Sequence, residues 1–230
     1  MLDELKQIVC ATNLKLAASG LVIDTWGNVS GVDRVTGVMV IKPSGLPYKD
    51  MKPEHMVAVK LDTGKPLDTH LKPSSDTPTH LVLYRAWAGL GGVVHTHSLY
   101  ATAWAQARKA LPVLGTTHAD YFHGEIPCTR DMDPSEIRSD YEADTGTVIL
   151  EALTGRDPLD CPGVLVAGHG PFAWGKNPDE AVHHAVILEH LARLATLTRI
   201  VEPDPRPISQ ELLNKHFFRK HGPGRTYGQD

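Results

Sequence analysis

The feature that most constrains this chain is His95-Thr96-His97, which directly follows the apolar run Gly91-Gly92-Val93-Val94. Read as a buried strand, that run sends side chains two positions apart to the same face, so His95 and His97 converge on one point. A divalent metal is the ligand that such a pair suits. Two imidazoles make half of a tetrahedral site, so further ligands must come from elsewhere. Asp76, in Ser74-Ser75-Asp76-Thr77-Pro78, and His169, which follows the apolar run Val164-Leu165-Val166-Ala167, are the candidates. In a chain with 13 histidines a lone His-x-His also arises by accident, and Asp76 equally suits a helix N-cap.

At 230 residues the chain has the length for one large α/β domain, expected over 1–230, with a full core. The formal net charge of −4 and the lack of a Lys/Arg cluster argue against nucleic acid or an anionic membrane surface as the main partner. The acidic start Met1-Leu2-Asp3-Glu4 lacks the layout of a signal peptide, and no uninterrupted apolar stretch is long enough for a bilayer. Cys10, Cys128 and Cys161 are widely spaced, which predicts neither a disulfide framework nor a Cys-x-x-Cys metal site. A reducing cytoplasm is the expected compartment.

Helices and short strands alternate. Leu5, Ile8, Val9, Thr12 and Leu16 predict a first helix ending near Ser19. Trp26 to Gly31 reads as turn-rich, Val38 to Ile41 and Met56 to Val59 as strands, and Asp62 to Lys65 as a turn. A helix capped by Asp76 or Thr77 is expected to run towards Gly89, and another covers Tyr100 to Ala107. Asp140 to Leu153 reads as helical, Asn177-Pro178 opens a long helix to about Ile200, and a last helix follows near Ser209 to Arg219. This alternation predicts a sheet with helices packed on it, in either parallel or antiparallel pairing.

Three polar stretches offer small hydroxyl or amide donors beside a glycine or a helix start: Gly27-Asn28-Val29-Ser30, Lys42-Pro43-Ser44-Gly45 and Ser74-Ser75. Together they can cradle a phosphate; singly, each reads as a turn. None matches the phosphate loop of nucleotide hydrolases or the dinucleotide fingerprint, so ATP and NAD are not indicated.

These stretches, with Asp76, His95-Thr96-His97, His169 and the ending from Lys215-His216 to Tyr227-Gly228-Gln229, resemble the class II aldolase and epimerase family in order and spacing over essentially the whole chain. The resemblance implies an α/β fold with a central, mainly antiparallel sheet between helix layers, a zinc site, and a ring-like homotetramer with interfacial active sites. It implies Asp76, His95, His97 and His169 as ligands of zinc, or of manganese or another divalent ion. It implies Asn28, Lys42, Ser44, Gly45, Ser74 and Ser75 as phosphate contacts. Asp120 and Tyr227 match positions where the family's epimerases keep acid/base groups, contributed by a neighbouring subunit. Aldolases of the family usually carry Glu where this chain has Asp76, which tilts the reading towards epimerisation of a pentulose 5-phosphate. The epimerase ending often has two tyrosines, whereas here Thr226 precedes Tyr227. A zinc aldolase and a metal-free binding module of the same fold are the alternatives.

The expected chemistry follows from the carbon skeleton. Carbon 4 of a ketopentose is not adjacent to the ketone, so its deprotonation gives no stabilised carbanion, whereas breaking the bond between carbons 3 and 4 leaves an enediolate that a Lewis acid stabilises. Re-addition to the other face of the aldehyde inverts carbon 4, with one proton-transfer group on each side. Of the remaining histidines, His183, His184 and His190 read as surface or packing residues of the long helix. His80 lies over the end of the turn after Asp76, His118 and His123 flank Asp120, and His216 reads as an exposed helix residue near the substrate position. Trp87 and Trp104 are expected in the core or an interface.

Overall fold

The run that ends on the histidines is a strand inside a six-stranded sheet. The computed structural model describes residues 2–67, 71–221 and 225–226. The strands are β1 (Asn28–Asp33), β2 (Val38–Ile41), β3 (Val57–Lys60), β4 (Gly92–His95), β5 (Gly163–Leu165) and β6 (Pro171–Gly175). Their spatial order is β3-β2-β1-β4-β6-β5, and every neighbouring pair is antiparallel, as the family resemblance implied. The helices are α1 (Leu2–Ala18), α2 (Thr77–Ala86), α3 (Leu99–Gln106), the short α4 (Thr116–Ala119) and α5 (Pro134–Arg138), α6 (Tyr141–Ala152), α7 (Pro178–Val201) and α8 (Gln210–His221).

Both faces of the sheet are covered, which is why β2 and β4 are apolar at consecutive positions instead of alternating. On one face Val93, Phe172 and Trp174 share a core with Leu81 and Tyr84 of α2, Trp104 of α3 and Ile149 of α6. On the other, Val29, Val94 and Ala173 meet Leu16 of α1 and Ala181, Val182 and Ala185 of α7. Phe172 is fully buried, and truncating such a side chain to alanine costs about 3–5 kcal/mol. Because its ring also supports His95, core packing and site geometry are linked at this residue.

The glycines ahead of Val93 have a steric cause. A Cβ at Gly92 would lie 2.5 Å from the Asn177 carbonyl oxygen and from Pro178, where β6 passes into α7, so β4 reaches that junction only without a side chain. Asn177 accepts from the Glu180 N–H at 2.8 Å, an N-cap worth about 1 kcal/mol.

Several local expectations need correction. The stretch read as turn-rich enters β1 at Asn28, because its polar side chains face a polar site rather than solvent. β6 was not anticipated: Pro171 and Gly175 bracket it and leave only Phe172-Ala173-Trp174 as strand-like residues. α2 stops at Ala86 instead of running towards Gly89, and β3 begins at Val57. The three cysteines are free thiols. Among the described residues no helix is long and apolar enough to cross a membrane.

Candidate functional site

The sheet register builds the site. Asn28 pairs with His95 across β1 and β4, and His95 pairs with Phe172 across β4 and β6. Residues directly opposite in antiparallel strands share a face, so these three side chains form one row. His95 stacks on Phe172, with ring centroids 4.2 Å apart, and its Nδ1 lies 3.0 Å from the Pro171 carbonyl oxygen. A carbonyl only accepts, so Nδ1 carries the proton and Nε2 presents a lone pair. That lone pair meets Nε2 of His97 at 3.0 Å, although the strand ends at His95. The turn between β5 and β6, closed by Val166 N–H donating to the Gly170 carbonyl at 2.9 Å, brings the His169 ring to 4.7 Å from that of His95 and 5.0 Å from that of His97.

One nitrogen from each of these three histidines lies within 4.8 Å of the others. Two nitrogen ligands on a tetrahedral zinc stand about 3.3 Å apart given Zn–N bonds near 2.0–2.1 Å, so the spacing suits an ion between the rings. Burial, reinforced by the neighbouring imidazoles, depresses the basicity of His97 and takes His169 down to about 4. Neutral imidazole is the form that binds a metal. The proton of His95 on the Pro171 carbonyl is the outer hydrogen bond by which metal-ligating histidines are held in orientation.

Asp76 stands beside this group. It occupies the N-cap position of α2 but makes no side-chain capping bond there; its Oδ2 instead accepts from Asn28 Nδ2 at 2.6 Å. Burial alone would raise its pKa, but the nearby His95 and His80, the Asn28 bond and His169 outweigh it and hold the carboxyl below its usual value. A carboxylate with three imidazoles is a donor set that fits zinc or manganese.

A cavity of about 520 Å³ takes in Asp76, His95, His97 and His169 together with Asn28, Lys42, Ser44, Gly45, Ser74 and Ser75. Every expected metal ligand and phosphate contact therefore lines one space. Two loops are zipped together at its edge, where Ser44 N–H donates to the Lys72 carbonyl at 2.9 Å and Ser74 N–H to the Lys42 carbonyl at 3.0 Å. Those two N–H groups are committed, which leaves the serine hydroxyls, the Gly45 backbone and Lys42 as donors towards the cavity. Lys42 is buried, donates to the Thr25 carbonyl at 2.9 Å and lies over the Tyr48 ring at 5.0 Å. Burial pulls its pKa down against the opposing pull of Asp76 and Asp24. A buried ammonium beside hydroxyl donors is a receptor for an oxyanion.

The other expected residues lie apart or beyond description. Asp120, at the end of α4, is not in the cavity lining; it binds His216 Nδ1 at 3.0 Å, Arg219 at 3.1 Å and Lys220 at 3.2 Å. His216 is thus half-buried and paired, not an exposed helix residue. Tyr227 lies outside the described residues. His118 and His123 bond to the Gly124 carbonyl and to Asn214, away from the cavity lining. His184 is buried against the Trp174 carbonyl, a packing role. Trp104 is buried, and Trp87 packs on Trp174.

Sequence reasoning missed four neighbours of the site. Tyr141 and Glu142 line the cavity, with the Tyr141 hydroxyl 3.5 Å from His169 Nδ1; in the sequence they read only as the start of a helix. Thr25 and Trp26 line it as well. His80, by contrast, was noticed but misplaced: it is fully buried, with Nδ1 at 2.7 Å from the Ser30 hydroxyl, which in turn meets the Tyr84 hydroxyl at 2.9 Å. Burial takes its pKa down to about 3.

Comparison with known proteins bears on the family and the fold. The family profile described as Class II Aldolase and Adducin N-terminal domain matches residues 7–196. The L-ribulose-5-phosphate 4-epimerases UlaF of Salmonella paratyphi A and Salmonella typhi are each 54% identical over 228 residues, covering 99% of this chain and 100% of theirs. Among solved structures, an L-fuculose 1-phosphate aldolase matches with a TM-score of 0.78 at 23% identity, over 93% of this chain and 94% of that one. An L-fuculose 1-phosphate aldolase from Glaciozyma antarctica PI12 matches with a TM-score of 0.76 at 18% identity, over 94% of this chain and 80% of that one. At such identities the structural likeness carries the fold alone.

Proposed function

The chain belongs to the class II aldolase and adducin family, and from that premise we propose that it is a divalent-metal-dependent 4-epimerase interconverting L-ribulose 5-phosphate and D-xylulose 5-phosphate. The observation that carries this reading is the meeting of the His95, His97, His169 group with the Lys42, Ser44, Ser74 and Ser75 donors in one cavity. Zinc is the expected ion, with manganese as the alternative. The full-length identity to the UlaF epimerases supports the substrate class. The working form in this reading is a cytoplasmic homotetramer of single-domain chains with active sites at subunit interfaces, and it uses neither nucleic acid nor a membrane.

His95, His97, His169 and Asp76 would hold a divalent ion, and such an ion would supply Lewis acidity towards the substrate oxygens. The protein's own groups do the rest. Lys42, the hydroxyls of Ser44, Ser74 and Ser75, and the Gly45 backbone hold the phosphate of the two-carbon aldehyde fragment, so that it turns without leaving. Asp120 and Tyr227 of a neighbouring subunit exchange the hydroxyl proton on the two faces of that aldehyde. The bonds from His216, Lys220 and Arg219 outweigh burial and keep Asp120 ionised, as a base must be.

Product identification tests this reading. Purified protein supplied with L-ribulose 5-phosphate is expected to return D-xylulose 5-phosphate. Accumulation of dihydroxyacetone and glycolaldehyde phosphate without the epimer would make it an aldolase instead.

A further inference from the structure

We propose that Glu189 of α7 is a positioning residue for His97: its carboxylate holds the start of α3 and so fixes where the turn out of β4 delivers that imidazole. The inference rests on the reading of the three-histidine group as a metal centre.

His95 and His97 are held by different means. His95 is the last residue of β4, fixed by the sheet register and by the Phe172 ring. His97 lies beyond that strand, so its position depends on how the chain is pinned on either side of it. On the strand side, Thr96 N–H donates to the Pro171 carbonyl at 3.3 Å. On the helix side the pin comes from another element. Tyr100 N–H donates to Glu189 Oε1 and Ala101 N–H to Glu189 Oε2, each at 2.9 Å.

Those two donors belong to the first turn of α3, where an N–H group has no acceptor within its own helix. A serine at the N-cap ordinarily supplies one, yet Ser98, in that position, makes no side-chain capping bond. The carboxylate of a distant helix takes over the task, and its charge suits the helix N-terminus. Glu189 is itself held steady, because Leu188 and Leu191 beside it on α7 are buried in the core. About two turns further along α7, Thr196 Oγ1 accepts from Trp104 Nε1 at 2.9 Å and ties the later part of α3 to the same helix. α3 is thus docked on α7 at two points, of which only the Glu189 point lies next to His97.

This pair of ties supplies the test, in Glu189→Gln and Thr196→Val. Glutamine is close in shape to glutamate but has one acceptor oxygen, so one of the two N–H groups loses its partner. Valine removes the hydroxyl that Trp104 bonds. Zinc binding to chelator-stripped protein is measured by competition with a chromophoric chelator, and the visible absorption of the cobalt(II)-loaded protein reports the ligand geometry. Glu189→Gln is expected to raise the zinc Kd about tenfold and to alter the cobalt spectrum, the low end of what losing an outer support of a metal ligand costs. Thr196→Val is expected to keep the parental spectrum and to change the zinc Kd by less than about twofold, because its tie is remote from the ligands. A folded Glu189→Gln protein with the parental zinc Kd and spectrum overturns the proposal. Equal losses in the two variants overturn it as well, because the docking of α3 as a whole is then what matters. If Glu189→Gln does not fold, Glu189 serves the fold and the proposal is equally overturned. Failure of the unsubstituted protein to bind zinc or manganese would instead remove the metal-centre reading, and the inference with it.

Discussion

The Nε2 atoms of His95 and His97 face each other at 3.0 Å, one at the last position of β4 and the other beyond it. The Pro171 carbonyl accepts the His95 Nδ1 proton, which leaves Nε2 as the nitrogen turned towards the group. His97 can donate to that nitrogen or, as the other tautomer, aim a lone pair at the same point. His169 closes the third side of the group. This arrangement suits a metal ion between the three rings.

Chelation is expected to abolish activity and added zinc or manganese to restore it. His97→Ala should lose bound metal and at least about a thousandfold in kcat/KM, since metal Lewis acidity supplies several kcal/mol of transition-state stabilisation. Elemental analysis of the purified variant beside the parent checks this. Full activity of a metal-free His97→Ala protein would refute it.

Phosphate recognition is expected to be shared among the donors left over when the two loops are zipped. Removing one hydroxyl that bonds a charged phosphate costs about 1.5–3 kcal/mol, so Ser44→Ala should lower kcat/KM about 10–100-fold. The same substitution should barely change turnover of the dephosphorylated pentulose, itself a poor substrate. Equal losses with both substrates would detach Ser44 from the phosphate.

Much of the site was legible because its parts are short strings with a chemical reason. His95-Thr96-His97 after an apolar run announces converging side chains, and Ser74-Ser75-Asp76 announces donors beside a carboxylate. What was not legible depends on packing between distant elements. The role of His80 on α2 is set by Ser30 of β1, fifty residues away in sequence. Tyr141 and Glu142 reach the cavity only because α6 shares a core with α2. β6 escaped notice because a proline and a glycine bracket it, yet its Phe172 supports His95 and the neighbouring Pro171 carbonyl fixes that ring's proton. The capping alternative for Asp76 was a reasonable reading of Asp76-Thr77-Pro78, and it fails because Asn28 claims the carboxylate.

Asp120 should tie α8 to α4 in a pH-dependent way. Its folded pKa is lowered, so its contribution to docking is fully present above the unfolded carboxyl pKa, about 3.9, and is lost as pH falls through the lower folded value. Amide protection of α8, corrected for the intrinsic exchange rate, is expected to hold level from pH 8 to about 5 and to fall below about pH 4. In Asp120→Asn it should already be low at neutral pH. Unchanged protection in that variant would mean that the apolar contacts of Leu213 and Phe217 hold the helix by themselves.

Shared sites predict complementation. Tyr227→Phe and His97→Ala proteins, each inactive alone, should recover part of the activity when dissociated and reassembled together, because some interfaces receive an intact metal group and an intact tyrosine. Sedimentation verifies the mixed tetramer. Verified mixed tetramers without recovery would place both residues in the same chain's site.

The most direct test of the epimerase account is the fate of the hydrogen on carbon 4 when the reaction runs in deuterium oxide. Inversion by breaking and re-forming the bond between carbons 3 and 4 never detaches that hydrogen, whereas inversion by deprotonation must exchange it. NMR of the product from L-ribulose 5-phosphate is expected to show D-xylulose 5-phosphate with no deuterium at carbon 4 after many turnovers. Deuterium at that position, or no epimer at all, would contradict the account.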